Sequence, residues 1–180
     1  TFTANSLIGQ YSVSASVAGV AAPATFQLTN QAGVAASITA TDGMGQSAQI
    51  NTVFGAVLRV AVKDLANNPV SGVTVTFTAP GSNASAGFPG LTANVATDAN
   101  GIAASPTLTA NGTVGSYSVT ASVPGVSPSA TFGLTNIVGT ATSVAYVSGS
   151  PQTAAVNTQF LNPLVVLVRD ASDNGVSGVS

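Results

Sequence analysis

Hydrophobic and polar residues alternate with a period of two over most of this chain, which is the pattern of β-strands that bury one face. In residues 57–63, for example, Leu58, Val60 and Val62 fall on one side and the residues between them on the other. A slip of one residue in strand pairing would turn such an apolar set to solvent, so the register is specified. The other residues expected to face inward by this rule are Val73, Val75, Phe77, Tyr117, Val119, Ala121, Val123, Ala130, Phe132 and Leu134.

Turn-forming residues separate these segments at short intervals. Examples are Asn68-Pro69, Pro89-Gly90, Asn111-Gly112 and Pro124-Gly125, pairs that are typical of turns. We predict seven or eight strands in one unit, near 36–41, 46–50, 56–63, 73–79, 91–97, 102–109, 116–123 and 129–135. Short strands with a turn about every 8–12 residues indicate an all-β, antiparallel sandwich or barrel, and a unit of ~100 residues favours the immunoglobulin-like sandwich.

The chain also repeats itself, since residues 1–74 reappear as residues 107–180. GQYSVSASVAGV (9–20) returns as GSYSVTASVPGV (115–126), and the register holds through both copies. An offset of about a hundred residues corresponds to one domain per repeat, because single domains most often contain ~100–150 residues. The repeat therefore predicts tandem immunoglobulin-like sandwiches.

Three domain segments follow from this register. We expect residues 1–30 to be the C-terminal part of one repeat, 31–136 a complete repeat and 137–180 the N-terminal part of the next. Neither outer part can close a core alone. We favour truncation as the explanation; the alternative is that the C-terminal part of one copy completes the N-terminal part of another, as donor strands do in pili. Residues 75–106 have no counterpart in either part, and this loss of strand pairing counts against the alternative.

Composition removes most catalytic chemistry. Charged residues form only 4% of the chain, with three cations and a net charge of −2, and there is no Glu, His, Cys or Trp. The usual general bases, thiolate nucleophiles and soft-metal ligands are therefore missing, and a serine nucleophile would lack a histidine base. Lys63 alternates outward on its strand and is expected to be solvated. We expect no enzyme, no catalytic residue, no cofactor and no nucleic-acid partner.

Mean hydropathy is positive, at +0.46, but no membrane-spanning helix is expected. The longest apolar stretches, such as LVVLV (164–168), are far shorter than the ~20 residues that such a helix needs. No export signal is visible in the first residues.

Two clusters of side-chain oxygens invite a test as calcium sites. They are Asp64 with Asn67 and Asn68, and Asp170 with Asp173 and Asn174. Calcium takes roughly six to eight oxygen ligands, so carbonyl groups would have to supply most of the ligands at either cluster. The alternative is an Asx turn between two strands, which we favour. We therefore assign no metal site.

The other polar residues have simpler interpretations than a binding site. Asp98-Ala99-Asn100-Gly101 matches a hairpin turn, and Asp42 is replaced by Ser148 in the next repeat. Two N-glycosylation sequons, Asn83-Ala84-Ser85 and Asn111-Gly112-Thr113, are attributed to chance.

Tyr117, like its counterpart Tyr11, lies near the start of the penultimate predicted strand. Two interpretations of Tyr117 remain: it forms a tyrosine corner, or it is an ordinary core aromatic residue.

The complete unit resembles the group 1 bacterial immunoglobulin-like (Big-1) repeats of the invasin and intimin stalks. The resemblance rests on LRVAVKDLANNPVSGVTVTFTAPG (58–81), TDANGIA (97–103) and TANGTVGSYSVTASV (109–123). It implies a bacterial protein at the cell surface or outside the cell, in a tandem array that holds a separate binding tip away from the surface. Such motifs specify strands and turns, so they indicate fold more strongly than function.

Two functions are compatible with this reading. One is a rigid rod of head-to-tail domains in an extracellular filament or adhesin stalk, since the linkers near 30–36 and 136–141 are short and lack Gly/Ser runs. The other is a module that binds a carbohydrate or host protein, with Phe88 as its one exposed anchor. We prefer the rod. The chain itself is an expected partner, head to tail or laterally, because few charges guard its strand edges.

Overall fold

The computed structural model describes residues 1–180, and its regular structure consists of β-strands alone. The strands are β1 (Gly9–Ala15), β2 (Ala24–Asn30), β3 (Ser37–Asp42), β4 (Ser47–Gln49), β5 (Arg59–Lys63), β6 (Thr74–Thr78), β7 (Ala86–Gly87), β8 (Thr92–Ala96), β9 (Ile102–Ala104), β10 (Thr109–Ala110), β11 (Gly115–Ser122), β12 (Ala130–Ile137), β13 (Ala141–Ser148) and β14 (Val165–Asp170). No helix of a length and apolarity suited to crossing a membrane is present.

We call residues 31–136 the central repeat, 1–30 the N-terminal segment and 137–180 the C-terminal segment. The central repeat is a sandwich of a five-stranded sheet, ordered β4-β12-β11-β6-β8, and a three-stranded sheet, ordered β3-β5-β9. A third small sheet pairs β7 with β10. All pairs are antiparallel except β4 with β12. The all-β sandwich expected from the sequence is confirmed.

The core lies between the two main sheets, where the alternating residues predicted it. Val60 on β5, Val75 on β6, Val119 on β11 and Phe132 on β12 are all fully buried. Phe77 packs against Phe132 with ring centroids 6.3 Å apart. Burying one such side chain stabilises a fold by about 1.5–3 kcal/mol, so this set fixes the register of both sheets.

The structure corrects the predicted strand near 102–109, which is two strands rather than one. β9 pairs with β5 in one sheet, whereas β10 pairs with β7 in another. The break falls at Ser105 and Pro106, and proline cannot donate a ladder hydrogen bond. Ser105 Oγ instead accepts a hydrogen bond from the Leu58 N–H at 3.0 Å. β7 and the parallel pairing of β4 were not predicted either.

Each of the two outer segments contains one antiparallel strand pair that repeats part of this sandwich. β1 pairs with β2, and β13 pairs with β14 through a ladder with two irregularities. Their apolar faces are open: Phe26 is 55% exposed, while its counterpart Phe132 in the central repeat is 0% exposed. Both positions hold phenylalanine, and the exposure differs because a second sheet covers Phe132 and none covers Phe26.

Candidate functional site

Two of the polar clusters singled out by the sequence lie at the joints where the outer segments meet the central repeat. Asp64 follows β5 directly, and its Oδ1 accepts hydrogen bonds from the backbone N–H groups of Ala66 (2.9 Å) and Asn68 (2.8 Å). This is the Asx turn that the sequence favoured. Its Oδ2 accepts the N–H of Gly33 at 2.9 Å. The same carboxylate thus closes a turn and fixes the linker that leads into β3.

Asn68 extends this joint to the N-terminal segment. Its side-chain Nδ2 donates to Asp64 Oδ2 at 3.1 Å and to the backbone carbonyl of Ser6 at 2.8 Å. The Asp64 carboxylate therefore receives four N–H donors, which occupy the acceptor positions of an ionised carboxylate. A calcium ion at Asp64 would have to displace these donors.

The second joint has the same contacts at the next repeat. Asp170 accepts the N–H groups of Ser172 (2.9 Å), Asn174 (3.0 Å) and, in the linker, Gly139 (3.0 Å). Asn174 Nδ2 donates to both carboxylate oxygens at 3.2 Å and reaches the carbonyl of Gly112, the counterpart of Ser6, at 3.5 Å. Each contact of the first joint thus recurs at the spacing of the sequence repeat.

Two of the six candidate calcium ligands do not converge on these carboxylates. Asn67 and Asp173 both have φ of 67°, the left-handed conformation that Asn and Asp adopt more readily than most residues. They occupy the turn for this conformational reason. Asp173 pairs its carboxylate with Arg169 at 2.7 Å, on the exposed side.

The hydrogen bonds lower the pKa of both joint aspartates. At Asp64 the hydrogen bond from the Gly33 N–H is the largest cause of the lowered pKa. Partial burial raises the pKa, but the Gly33 bond and the bonds from Asn68 and Ala66 together outweigh it. At Asp170 burial is the largest single effect and raises the pKa, but the bonds from Gly139, Asn174 and Ser172 outweigh it, so its pKa is also lowered. Both groups are therefore ionised at neutral pH.

A buried asparagine organises the end of the central repeat that meets the second joint. Asn136 is 0% exposed, and its Nδ2 donates to Ser85 O (2.9 Å), Asn111 Oδ1 (2.9 Å) and Thr113 O (3.1 Å). Its Oδ1 accepts the hydroxyl of Tyr117 at 3.0 Å. Tyr117 is therefore half-buried with a side-chain partner on the neighbouring strand, which differs from both the tyrosine corner and a plain core aromatic. Burial raises its pKa to about 12.

The N-terminal segment repeats part of this arrangement. Asn30 Nδ2 donates to Asn5 Oδ1 at 2.8 Å and to Leu7 O at 3.0 Å. Sequence reasoning did not single out Asn30 and Asn136 as structural residues. The recurrence of Leu-Thr-Asn at the end of each repeat is the signal that could have found them.

The remaining candidates lie apart from the joints. Asp98 Oδ1 accepts the N–H groups of Asn100 (2.8 Å) and Ile102 (2.9 Å), which closes a tight turn. The expected hairpin is wrong, because this turn connects β8 to β9 and the two strands lie in different sheets. Asp42 lies 4.0 Å from Arg59 at the surface. Lys63 is half-buried on β5.

The two sequon asparagines both take part in local structure. Asn111 Nδ2 donates to the carbonyl of Asn83 at 2.7 Å, and Asn83 itself has φ of 61°.

The expectation of an exposed anchor at Phe88 is wrong. Phe88 is only 7% exposed, and its ring packs against Phe77 with centroids 6.2 Å apart. The small sheet of β7 and β10 folds this loop back over the core, and alternation in the sequence gives no sign of that sheet. The central repeat therefore presents no exposed aromatic side chain: its Phe residues are buried and Tyr117 is half-buried.

Comparison with solved structures identifies the architecture. FdeC, an adhesin of Escherichia coli, superposes with a TM-score of 0.59 and 20% identity over 95% of this chain. This chain shares the fold of FdeC. It spans about half of that protein, 53% of the FdeC chain. The immunoglobulin-like resemblance inferred from the sequence is thus confirmed at the level of the fold.

A second similar structure is invasin, a bacterial integrin-binding protein. It matches with a TM-score of 0.47 and 24% identity over 77% of this chain and 27% of invasin. No model of a protein family matches the chain, and no curated protein does.

Proposed function

We propose that this chain is a structural part of a bacterial adhesin stalk or extracellular filament, in which immunoglobulin-like repeats stack head to tail as a rigid rod. The observation that carries the proposal is the joint, in which equivalent positions make the same hydrogen bonds at both repeat boundaries. A joint that recurs with the repeat gives each pair of neighbouring domains the same relative orientation, as an extended array requires. The shared fold with an adhesin supports a location at or outside the cell surface.

Rigidity in this proposal comes from the linker contacts. Asp64 and Asp170 are 8% and 4% exposed, so their hydrogen bonds to Gly33 and Gly139 are sheltered from water. Charge-assisted hydrogen bonds of this kind are about twice as strong as neutral ones. Each linker is thereby held to the domain that follows it, and the asparagine amide ties that domain to the one before.

We propose no catalytic role for this chain.

The alternative function, a binding module, loses the one anchor named for it because Phe88 is buried. Interfaces are usually enriched in exposed aromatic residues and Arg, and the central repeat has Arg59 as its one arginine.

Distance measurements across the first joint test the rod. The chain has no cysteine, so Thr25→Cys and Thr131→Cys provide two exposed spin-label positions, one on each side of the joint. At a dilution where the protein is monomeric, we expect a narrow distance distribution in the parent protein. Asp64→Ala should broaden it, because the linker loses the Gly33 contact.

Asp98→Ala is the matched control for this experiment. Asp98 closes a turn with the same local N–H contacts but touches no linker. It should leave the distribution narrow. Equal widths for the parent and Asp64→Ala would contradict the proposed rigid joint.

A further inference from the structure

The second joint contains a side-chain contact that the first joint cannot form. Asn51, in the turn that follows β4, donates from its Nδ2 to Ser172 Oγ at 2.9 Å. Asn51 belongs to the central repeat, and Ser172 lies in the turn that follows β14 in the C-terminal segment. The counterpart of Ser172 at the first joint is Ala66, whose side chain has no hydrogen-bonding group. One position in this turn therefore distinguishes the two joints.

Both partners of the contact are held in place by their own parts of the chain. Asn51 has φ of 60°, and its N–H donates to the carbonyl of Ala110 at 3.0 Å. The Ser172 N–H donates to the Asp170 carboxylate at 2.9 Å, within the Asx turn. Gly112 leaves room for the hydroxyl, because a Cβ atom there would lie 3.4 Å from Ser172 Oγ. Groups that are positioned in advance lose little conformational freedom when they bind.

The turn that presents Asn51 recurs in the next repeat. Its counterpart Asn157 has φ of 61°. The residues that follow, Thr52 and Thr158, each donate from Oγ1 to a backbone carbonyl three residues earlier, at 2.6 and 2.7 Å. The asparagine is thus common to both repeats, whereas the turn position that reaches it holds serine in one and alanine in the other.

The short contact to the preceding part of the chain comes from different residues at the two joints. At the first joint the Asn68 amide donates to Ser6 O at 2.8 Å. At the second joint the equivalent bond, from Asn174 to Gly112 O, is 3.5 Å long, beyond the usual range of about 2.7–3.2 Å. The Ser172 contact, at 2.9 Å, is the shorter of the two there.

We propose that Ser172 is the positioning residue of the second joint. Through Asn51 it orients the C-terminal segment against the central repeat, which is the role of Asn68 at the first joint. This inference rests on the proposed function, since it concerns how successive domains of the rod are held. It adds that one position of the turn, serine or alanine, determines which side chain couples a domain to the one before it.

Spin labels across the second joint test this role. Thr131→Cys and Ala145→Cys provide exposed positions on β12 and β13. At a dilution where the protein is monomeric, the parent should give a narrow distance distribution. Ser172→Ala should raise the fraction of molecules outside the main peak about fivefold, the population change that corresponds to one neutral hydrogen bond. Ser172→Thr, which keeps the hydroxyl, should remain close to the parent.

Ser118→Ala is the matched control, because Ser118 is an exposed serine on β11, opposite Gly133 rather than at a joint. It should leave the distribution unchanged. Ser172→Ala should also leave the urea midpoint of the central repeat unchanged, since the bond joins two parts of the chain and lies outside the core.

A double variant tests whether the two residues act through one bond. Asn51→Gly removes the amide and keeps the left-handed conformation, which glycine adopts readily. It should broaden the distribution as Ser172→Ala does. The double variant should be no broader than the broader single variant, because both changes remove the same contact.

Two outcomes would overturn this proposal and leave the rod standing. One is a narrow distribution that Ser172→Ala does not change, and the other is a double variant whose broadening is the sum of the single effects. A broad distribution in the parent protein would contradict both this proposal and the rigid rod.

Discussion

At the scale of single residues, amides and carboxylates at the ends of the repeats do the positioning. Asn136 satisfies three acceptors and one donor from a fully buried position. A buried polar group that loses its partner costs its full desolvation energy. The ends of each repeat are thus specified by hydrogen bonds, while its middle is specified by apolar packing.

Replacing Asn136 tests this specification. Asn136→Ala should lower the free energy of unfolding by about 1–3 kcal/mol, because the carbonyls of Ser85 and Thr113 and the hydroxyl of Tyr117 lose their partner. Urea denaturation followed by circular dichroism would measure the change. Asn94→Ala, at an exposed site on β8, should stay within about 0.5 kcal/mol of the parent. Equal effects of the two substitutions would contradict the role of Asn136.

At the scale of elements, the turn between β8 and β9, which lie in different sheets, depends on a close backbone approach. Gly101 has φ of 70°, and a Cβ atom there would lie 2.6 Å from the carbonyl oxygen of Val62. Gly72 has nearly the same φ, 72°, with no atom within 4 Å of a Cβ. Substitutions at these two glycines therefore allow the cost of backbone strain to be measured separately from the cost of a steric clash.

This pair gives a prediction for thermal and urea unfolding. Gly72→Ala should cost about 1–2 kcal/mol, the cost of a left-handed conformation for a residue with a Cβ atom. Gly101→Ala should cost roughly twice that or more, because the clash with backbone adds to the strain. Similar costs at the two positions would show that the Val62 contact relaxes freely.

At the scale of the whole molecule, the joints should respond to acid. The pKa of Asp64 and of Asp170 is lowered from its ordinary value of 3.8. A depressed pKa in the folded state contributes stability that is present above 3.8 and is lost as the pH falls through the lowered value. The joints should therefore loosen below pH 3.8, while the apolar cores, which do not titrate, persist.

The same spin-label pair reports this change. The distance distribution across the first joint should stay narrow at neutral pH and broaden as the pH falls below 3.8. In Asp64→Asn, which carries no titrating group at that position, the width should not change with pH over this range. A parent protein whose distribution keeps its width in acid would show that the Gly33 hydrogen bond does not need the ionised carboxylate.

The sequence by itself determined most strands of the central repeat, the inward faces of those strands and the repeat that places them. These features depend on neighbours in the chain: alternation sets the buried face of a strand, as with Val60 and Phe132, and Asx chemistry sets the turn at Asp64. The immunoglobulin-like sandwich followed from the same local patterns.

Only the tertiary structure decided which elements meet across long separations in the chain. The division of residues 102–109 between two sheets, the parallel pairing of β4, the burial of Phe88 and the reach of Asn68 to Ser6 all depend on residues distant in sequence. No local pattern encodes such meetings, because they are set by how the sheets pack. The open faces at Phe26 and Val166 show the same limit, since identical alternation leaves them exposed where no second sheet covers them.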